Sequence, residues 1–139
     1  GKTALGKEEV LSGFFLPPLP SSAKSRYARI SRTKGMDLAA MGITLLAYDK
    51  ERADLSKAEN RKIRIALGAV ERVPVRMSAA EVALSGTEIT GTLLDKVKQG
   101  MADSIHPRST SLRAGPDYKK AITGVLTERI LREFGIYEG

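Results

Sequence analysis

No cysteine occurs in this 139-residue chain, which excludes disulfides, thiolate zinc sites, iron–sulfur ligation and a cysteine nucleophile within it. The absence also fits a reducing compartment. Tryptophan is missing and aromatic residues make up 5%, so the core has to be built from Leu, Ile, Val, Ala and Met. The single histidine, His106, has no second His or Cys to share a metal with, and it reads as a solvated or locally hydrogen-bonded loop residue. A Ser-His-Asp arrangement would rest on His106 alone. No Gly-x-Ser-x-Gly elbow, Walker A loop or Gly-x-Gly-x-x-Gly run is present, and the carboxylates are scattered. No complete active site is expected. No apolar run approaches the roughly 18 residues of a membrane span, and Gly1 to Lys7 lacks the apolar core of a signal peptide. The expected location is the cytoplasm, with no membrane partner.

What is present is an ordinary globular balance, 42% hydrophobic and 28% charged, in a length that suits one domain. Lys and Arg total 23 against 16 acids, a net charge of +7. Such an excess fits nucleic acid, an acidic membrane surface, a phosphate-bearing ligand or an acidic partner subunit. Lys24, Arg26, Arg29, Arg32 and Lys34 crowd one strand and its loop, and Arg61, Lys62 and Arg64 a second strand. A nucleic-acid-binding sheet also needs interleaved aromatics for base stacking, and Tyr27 is the only one nearby. A basic solvated face is the plainer reading, and a basic nucleic-acid-binding module is kept as the alternative. A generic interaction domain is a third reading.

Along the chain, Glu8 to Leu11 suggests a turn of helix, and Pro17-Pro18-Leu19-Pro20 a stiff connection after the apolar Phe14-Phe15-Leu16. Lys24 to Ser31 alternates as a strand, Ala28 and Ile30 on one face, Tyr27 and Arg29 on the other. Leu38 to Tyr48, small and apolar on both faces, reads as a central strand covered on both sides. Asp49 to Asn60 is a polar hairpin connection with room for a helical turn. Arg61 to Val70 alternates again, with Ile63, Ile65, Leu67 and Ala69 inward.

After Pro74 the period changes. Ser78-Ala79-Ala80-Glu81 has the spacing of a capping box, and Gly86 supplies a stop. A second helix is expected over Thr90 to Ala102, burying Leu93, Leu94, Val97 and Met101. A third opens at Pro116 with Asp117 in its first turn, carries a stripe of Tyr118, Ile122, Val125, Leu126 and Phe134, and ends at Gly135. Strands before helices predict an α+β fold, a three- to four-stranded antiparallel sheet packed on one face by about three helices.

Three stretches in this order carry a family resemblance: Tyr27 to Arg32 followed by Met36 to Ala39; Arg64 to Val70 followed by Pro74 to Arg76, Ala80 and Glu81; and Leu112 to Lys119. Together they resemble the C-terminal domain of the FAD-binding subunit of molybdenum hydroxylases, the group of carbon monoxide dehydrogenase and xanthine dehydrogenase. The resemblance covers Tyr27 to the C-terminus. The opening Gly1 to Leu5, with Glu9 and Leu11, looks like the junction where the FAD domain hands over. It implies residues 1–20 as that junction and 21–139 as the flavoprotein C-terminal domain.

The resemblance implies an accessory role in an oxidoreductase: packing on a flavin domain while electrons pass from a molybdenum cofactor through iron–sulfur clusters to FAD and an acceptor. FAD would be bound mainly by that other domain and not tightly by this chain. The implied partners are the FAD-binding domain and the iron–sulfur and molybdenum-cofactor subunits. It places Tyr27, Arg29 and Asp37 at the flavin edge. Thr33 departs from the family's second consecutive arginine, although Lys34 follows. Arg113 and Tyr118 match, and their expected work is to fix the start of the last helix.

Overall fold

A computed structural model describes residues 3–31, 33, 38–51 and 54–139. Four strands, β1 (Lys24–Ile30), β2 (Met41–Tyr48), β3 (Lys62–Gly68) and β4 (Val75–Arg76), pair antiparallel in chain order. They precede three helices, α1 (Ser78–Leu84), α2 (Gly91–Ser104) and α3 (Pro116–Glu133). The α+β sheet-and-helix architecture is as expected. The fourth strand has only two residues, too short to leave a periodic signature.

Alternation along each strand decides what the helices cover. Met41, Ile43, Leu45 and Ala47 of β2 and Ile63, Ile65 and Leu67 of β3 are all essentially sealed from solvent. They meet Leu84 of α1, Leu94, Val97 and Met101 of α2, and Leu126, Ile130 and Leu131 of α3 in one continuous core. Burying each such side chain stabilises by about 1.5–3 kcal/mol.

β2 is not covered on both sides. Thr44 is exposed, and Leu46 and Tyr48 are only half-buried. No helix lies on that face because α1, α2 and α3 all follow the sheet on its other side. The alternation in β3 also stops one residue early. Ala69 takes φ +59°, which turns it outward, and Val70 fills the core instead. The Glu8 to Leu11 segment holds a turn, closed by Glu9 N–H on the Gly6 carbonyl at 3.2 Å, not a helix. The described part of the 49–60 connection carries no helix, and Leu55 anchors it in the core.

The predicted capping box does not form. Met77, not Ser78, is the N-cap of α1 and makes no side-chain cap. Glu81 instead points at the edge of β3, which β4 leaves bare after two residues. Its Oε1 accepts the Ile65 N–H at 2.8 Å, Ser85 Oγ accepts the Ile63 N–H at 2.9 Å, and Gly86 N–H donates to the Arg61 carbonyl at 2.8 Å. α1 and its C-terminal turn thus do the work of a fifth strand, satisfying backbone groups that burial would otherwise orphan.

α2 starts as expected, Thr90 Oγ1 accepting the Leu93 N–H at 3.2 Å. α3 ends in a Schellman turn, with Gly135 at φ +71° and Ile136 N–H on the Leu131 carbonyl at 3.1 Å. Of the predicted α3 stripe, Ile122, Leu126 and Phe134 pack in or against the core, and the rest differs. Tyr118 and Val125 are about half exposed, while Lys119, Thr123 and Thr127 face inward. Both threonine hydroxyls donate to carbonyls one turn back, at 2.8 and 2.9 Å, so polar residues can occupy the buried side.

Candidate functional site

The register of the sheet fixes a second, helix-free face. Tyr27, Thr44, Ala66 and Arg76 form one cross-strand row, Arg29, Gly42 and Gly68 the next, and Ser25, Leu46 and Arg64 a third. Tyr27 and Arg29 are two residues apart on edge strand β1 and therefore share this face. Both side chains are exposed. The third expected residue, Asp37, lies outside the described residues.

The Tyr27 ring lies over Gly42. A Cβ built at Gly42 would come within 2.9 Å of Tyr27 Oη and 3.1 Å of Cε2. Glycine at this position lets the ring come close to the β2 backbone, and much of Tyr27 remains in solvent. The surroundings are small and low: Thr44, Ala66 and Gly68. The result is a flat aromatic and aliphatic platform beside a cationic border.

That border is held by one buried carboxylate. Glu81, 4% exposed, receives Arg76 Nε and Nη2, both at 2.6 Å, and Arg64 Nη1 lies 3.7 Å away. Burial pushes the Glu81 carboxyl up, but the Arg76 fork, the Ile65 N–H and the charges of Arg76 and Arg64 outweigh it. They hold the carboxyl below its ordinary value. The same hydrogen bonds raise Arg76. Arg64 and Arg76 thus present their charge at the edge of the platform in fixed positions.

The basic cluster read from the sequence is divided by the sheet. Lys24 and Arg26 leave the platform and meet the C-terminal end of α3: Lys24 Nζ donates to the Phe134 carbonyl at 3.0 Å, and Arg26 pairs with Glu133 at 3.1 Å. Cations are favoured there because the last carbonyls of a helix are unpaired. Arg61 is buried and donates to the carbonyls of Leu55 at 3.1 Å and Thr87 at 2.7 Å. Burial lowers its pKa. His106 is exposed, with Nδ1 3.8 Å from Glu71, in keeping with a solvated loop residue. No cluster of three or more His, Cys, Asp or Glu able to hold a metal occurs among the described residues.

Sequence reasoning missed Gly42 and Glu81 as parts of this surface. The only signal for Gly42 was a glycine inside an otherwise apolar strand, which marks close approach by another group. Glu81 was visible as an acid near a helix start, but its partners come from β3 and β4.

No helix among the described residues is long and apolar enough to cross a membrane. The family model for the CO dehydrogenase flavoprotein C-terminal domain matches residues 26–134. A putative xanthine dehydrogenase FAD-binding subunit of Escherichia coli K12 is 23% identical over 134 residues, covering 96% of this chain and 44% of its own length. A carbon monoxide dehydrogenase from Hydrogenophaga pseudoflava lacking the Mo-pyranopterin moiety superposes with a TM-score of 0.69 at 27% identity. That match spans 82% of this chain and 37% of the other. For the fold alone, reconstituted CO dehydrogenase from Oligotropha carboxidovorans gives 0.71 at 21% identity, over 88% and 40% of the two chains. The chain therefore spans less than half the length of these relatives. The nucleic-acid alternative gains no support from them. With the family model covering most of the sequence, and the four-stranded sheet and three helices agreeing with its relatives, the chain belongs to the CO dehydrogenase flavoprotein C-terminal domain family.

Proposed function

We propose that this domain packs its helix-free sheet face against the flavin-binding part of an FAD subunit. There it supports electron transfer from iron–sulfur clusters to FAD and on to an acceptor. Residues 21–139 form the domain and residues 1–20 the junction leading into it. Tyr27, Arg29 and Asp37 stand at the flavin edge in this reading. FAD is held mainly by the other domain, and the wider partners are iron–sulfur and molybdenum-cofactor subunits of a cytoplasmic hydroxylase.

The observation that carries the reading is the one-sided sheet. All three helices cover one face, while the other offers Tyr27 laid on Gly42 among small residues, with cations at the border. Phe14, Phe15 and Leu16 are more than 80% exposed in sequence just before this sheet, and contiguous apolar exposure of that kind marks an interaction surface. The named relatives include FAD-binding subunits and CO dehydrogenases, one described by its molybdenum cofactor.

FAD supplies the redox chemistry; the protein's share is to orient the ring and set its electrostatics. A guanidinium such as that of Arg29 at the flavin edge would favour the reduced, anionic ring over the neutral oxidised one. Tyr27 would exclude water from one side. Titration of this chain with FAD should show no stoichiometric tight binding. In the complete subunit, Arg29→Gln should lower the flavin midpoint potential and Tyr27→Ala should alter the flavin absorption spectrum. Tight FAD binding by the chain alone, or a flavin indifferent to both substitutions, overturns the reading.

A further inference from the structure

The buried amine of Lys119 lacks a counter-ion among the described residues. The residue is 5% exposed, and Nζ donates to the neutral carbonyl of Ala69 at 2.8 Å. An ammonium has three donors, so capacity remains. A buried charge is costly unless a partner of opposite sign compensates it. Among the charged groups around it, Arg113 and Arg108 have the same sign, and one acid, Glu71, lines the same pocket as Lys119. Burial lowers the Lys119 pKa, and the charges of Arg113 and Arg108 lower it further.

These cations share a pocket of about 480 Å³ between the loop leading into α3 and the segments flanking β2 and β3. Thr110 and Ser111 add hydroxyls to its wall. The one acid lining it, Glu71, has its Oε1 engaged by the His106 N–H at 2.9 Å. Neither Arg108 nor Arg113 has an ion-pair partner among the described residues. Three positive side chains and two hydroxyls outnumber the single carboxylate lining this concavity, and oxyanions are bound by such donors.

We infer that the pocket formed by Lys119, Arg108, Arg113, Thr110 and Ser111 binds the phosphate group of a small molecule. This does not rest on the flavin reading, because the pocket draws on none of the residues assigned to the flavin edge. Free inorganic oxyanion and the phosphate tail of a nucleotide share this chemistry.

The test is calorimetric titration of the 139-residue chain with inorganic phosphate, pyrophosphate and ADP at low salt. Saturable binding is expected, weakening as salt rises. Comparable affinity for pyrophosphate and ADP identifies a free-oxyanion site, and clearly tighter ADP a nucleotide site. Arg113→Gln and Arg108→Gln, at exposed positions that leave the fold intact, should each weaken binding roughly tenfold or more. Arg129→Gln, on the outer side of α3, should leave it unchanged. Saturating ligand should raise the Lys119 ammonium pKa followed by NMR. No binding of any of the three at millimolar concentration, or binding indifferent to both arginine substitutions, overturns the inference.

Discussion

Replacing Glu81 tests how the edge of the sheet is closed. In Glu81→Ala the Ile65 N–H loses its acceptor beside α1, where no strand replaces it. A buried donor left unsatisfied costs about 1–3 kcal/mol. The Arg76 fork disappears as well, but Arg76 is 54% exposed, so solvent screening limits that share to about 1 kcal/mol. The sum is about 2–4 kcal/mol, a fall in melting temperature of roughly 8–16 °C for a domain of this size. Glu81→Gln keeps one oxygen for Ile65 but loses the charge and turns the other oxygen into an NH2 donor facing Arg76, so it should cost about 1–2 kcal/mol.

Both substitutions remove a titrating carboxyl, so wild type differs from each of them in pH behaviour. The folded carboxyl titrates below its ordinary value of 4.5. Its stabilisation is therefore complete above that value and is lost as pH falls through the lower, folded one. Urea unfolding of both variants between neutral pH and the onset of acid unfolding measures each quantity. The wild-type advantage over Glu81→Gln should hold constant at neutral pH and shrink below about 4.5. A Glu81→Ala loss under about 0.5 kcal/mol, or a Glu81→Gln gap that grows on acidification, would refute the edge-closing role.

Gly124 and Gly100 separate close packing from free surface. A Cβ at Gly124 would lie 2.9 Å from Lys98 Cγ and 3.0 Å from Lys98 Cβ, so Gly124→Leu should force α2 from α3 and destabilise by about 1–3 kcal/mol. Gly100 meets nothing within 4 Å, and Gly100→Ala should stabilise by up to about 1 kcal/mol in thermal unfolding. Thr90→Ala removes the α2 cap and should cost about 1 kcal/mol in the same assay. Gly42→Ala should leave stability within about 1 kcal/mol, because the Tyr27 ring is exposed and can swing away, but its aromatic NMR signals should shift.

The strands were legible where burial falls on alternate residues. Ile63, Ile65 and Leu67 follow that period, and the same period set Tyr27 and Arg29 apart from Ala28 and Ile30. What could not be read was the register that lays Tyr27 on Gly42, since it depends on how β1 and β2 are paired. Ala69 broke the pattern through a left-handed backbone that no side-chain period reveals. The N-terminus of α1 misled for a related reason. Ser78 and Glu81 had the right spacing for a cap, but Glu81 found a stronger set of donors in Ile65 and Arg76.

The largest misreading, the face of α3, has a single physical source. An apolar stripe assumes that polar side chains point to water, whereas Thr123 and Thr127 satisfy their hydroxyls on their own helix and so carry little penalty inside. Lys119 has no such remedy among the described residues: one carbonyl takes one of its three donors, and Arg113 and Arg108 repel it. A local rule that fails with a compensation in the structure reflects packing, as at Thr123 and Thr127. A local rule that fails with no compensation among the described residues marks a place to test for a ligand. Lys119 is of the second kind, and for that reason the phosphate titration is directed at its pocket.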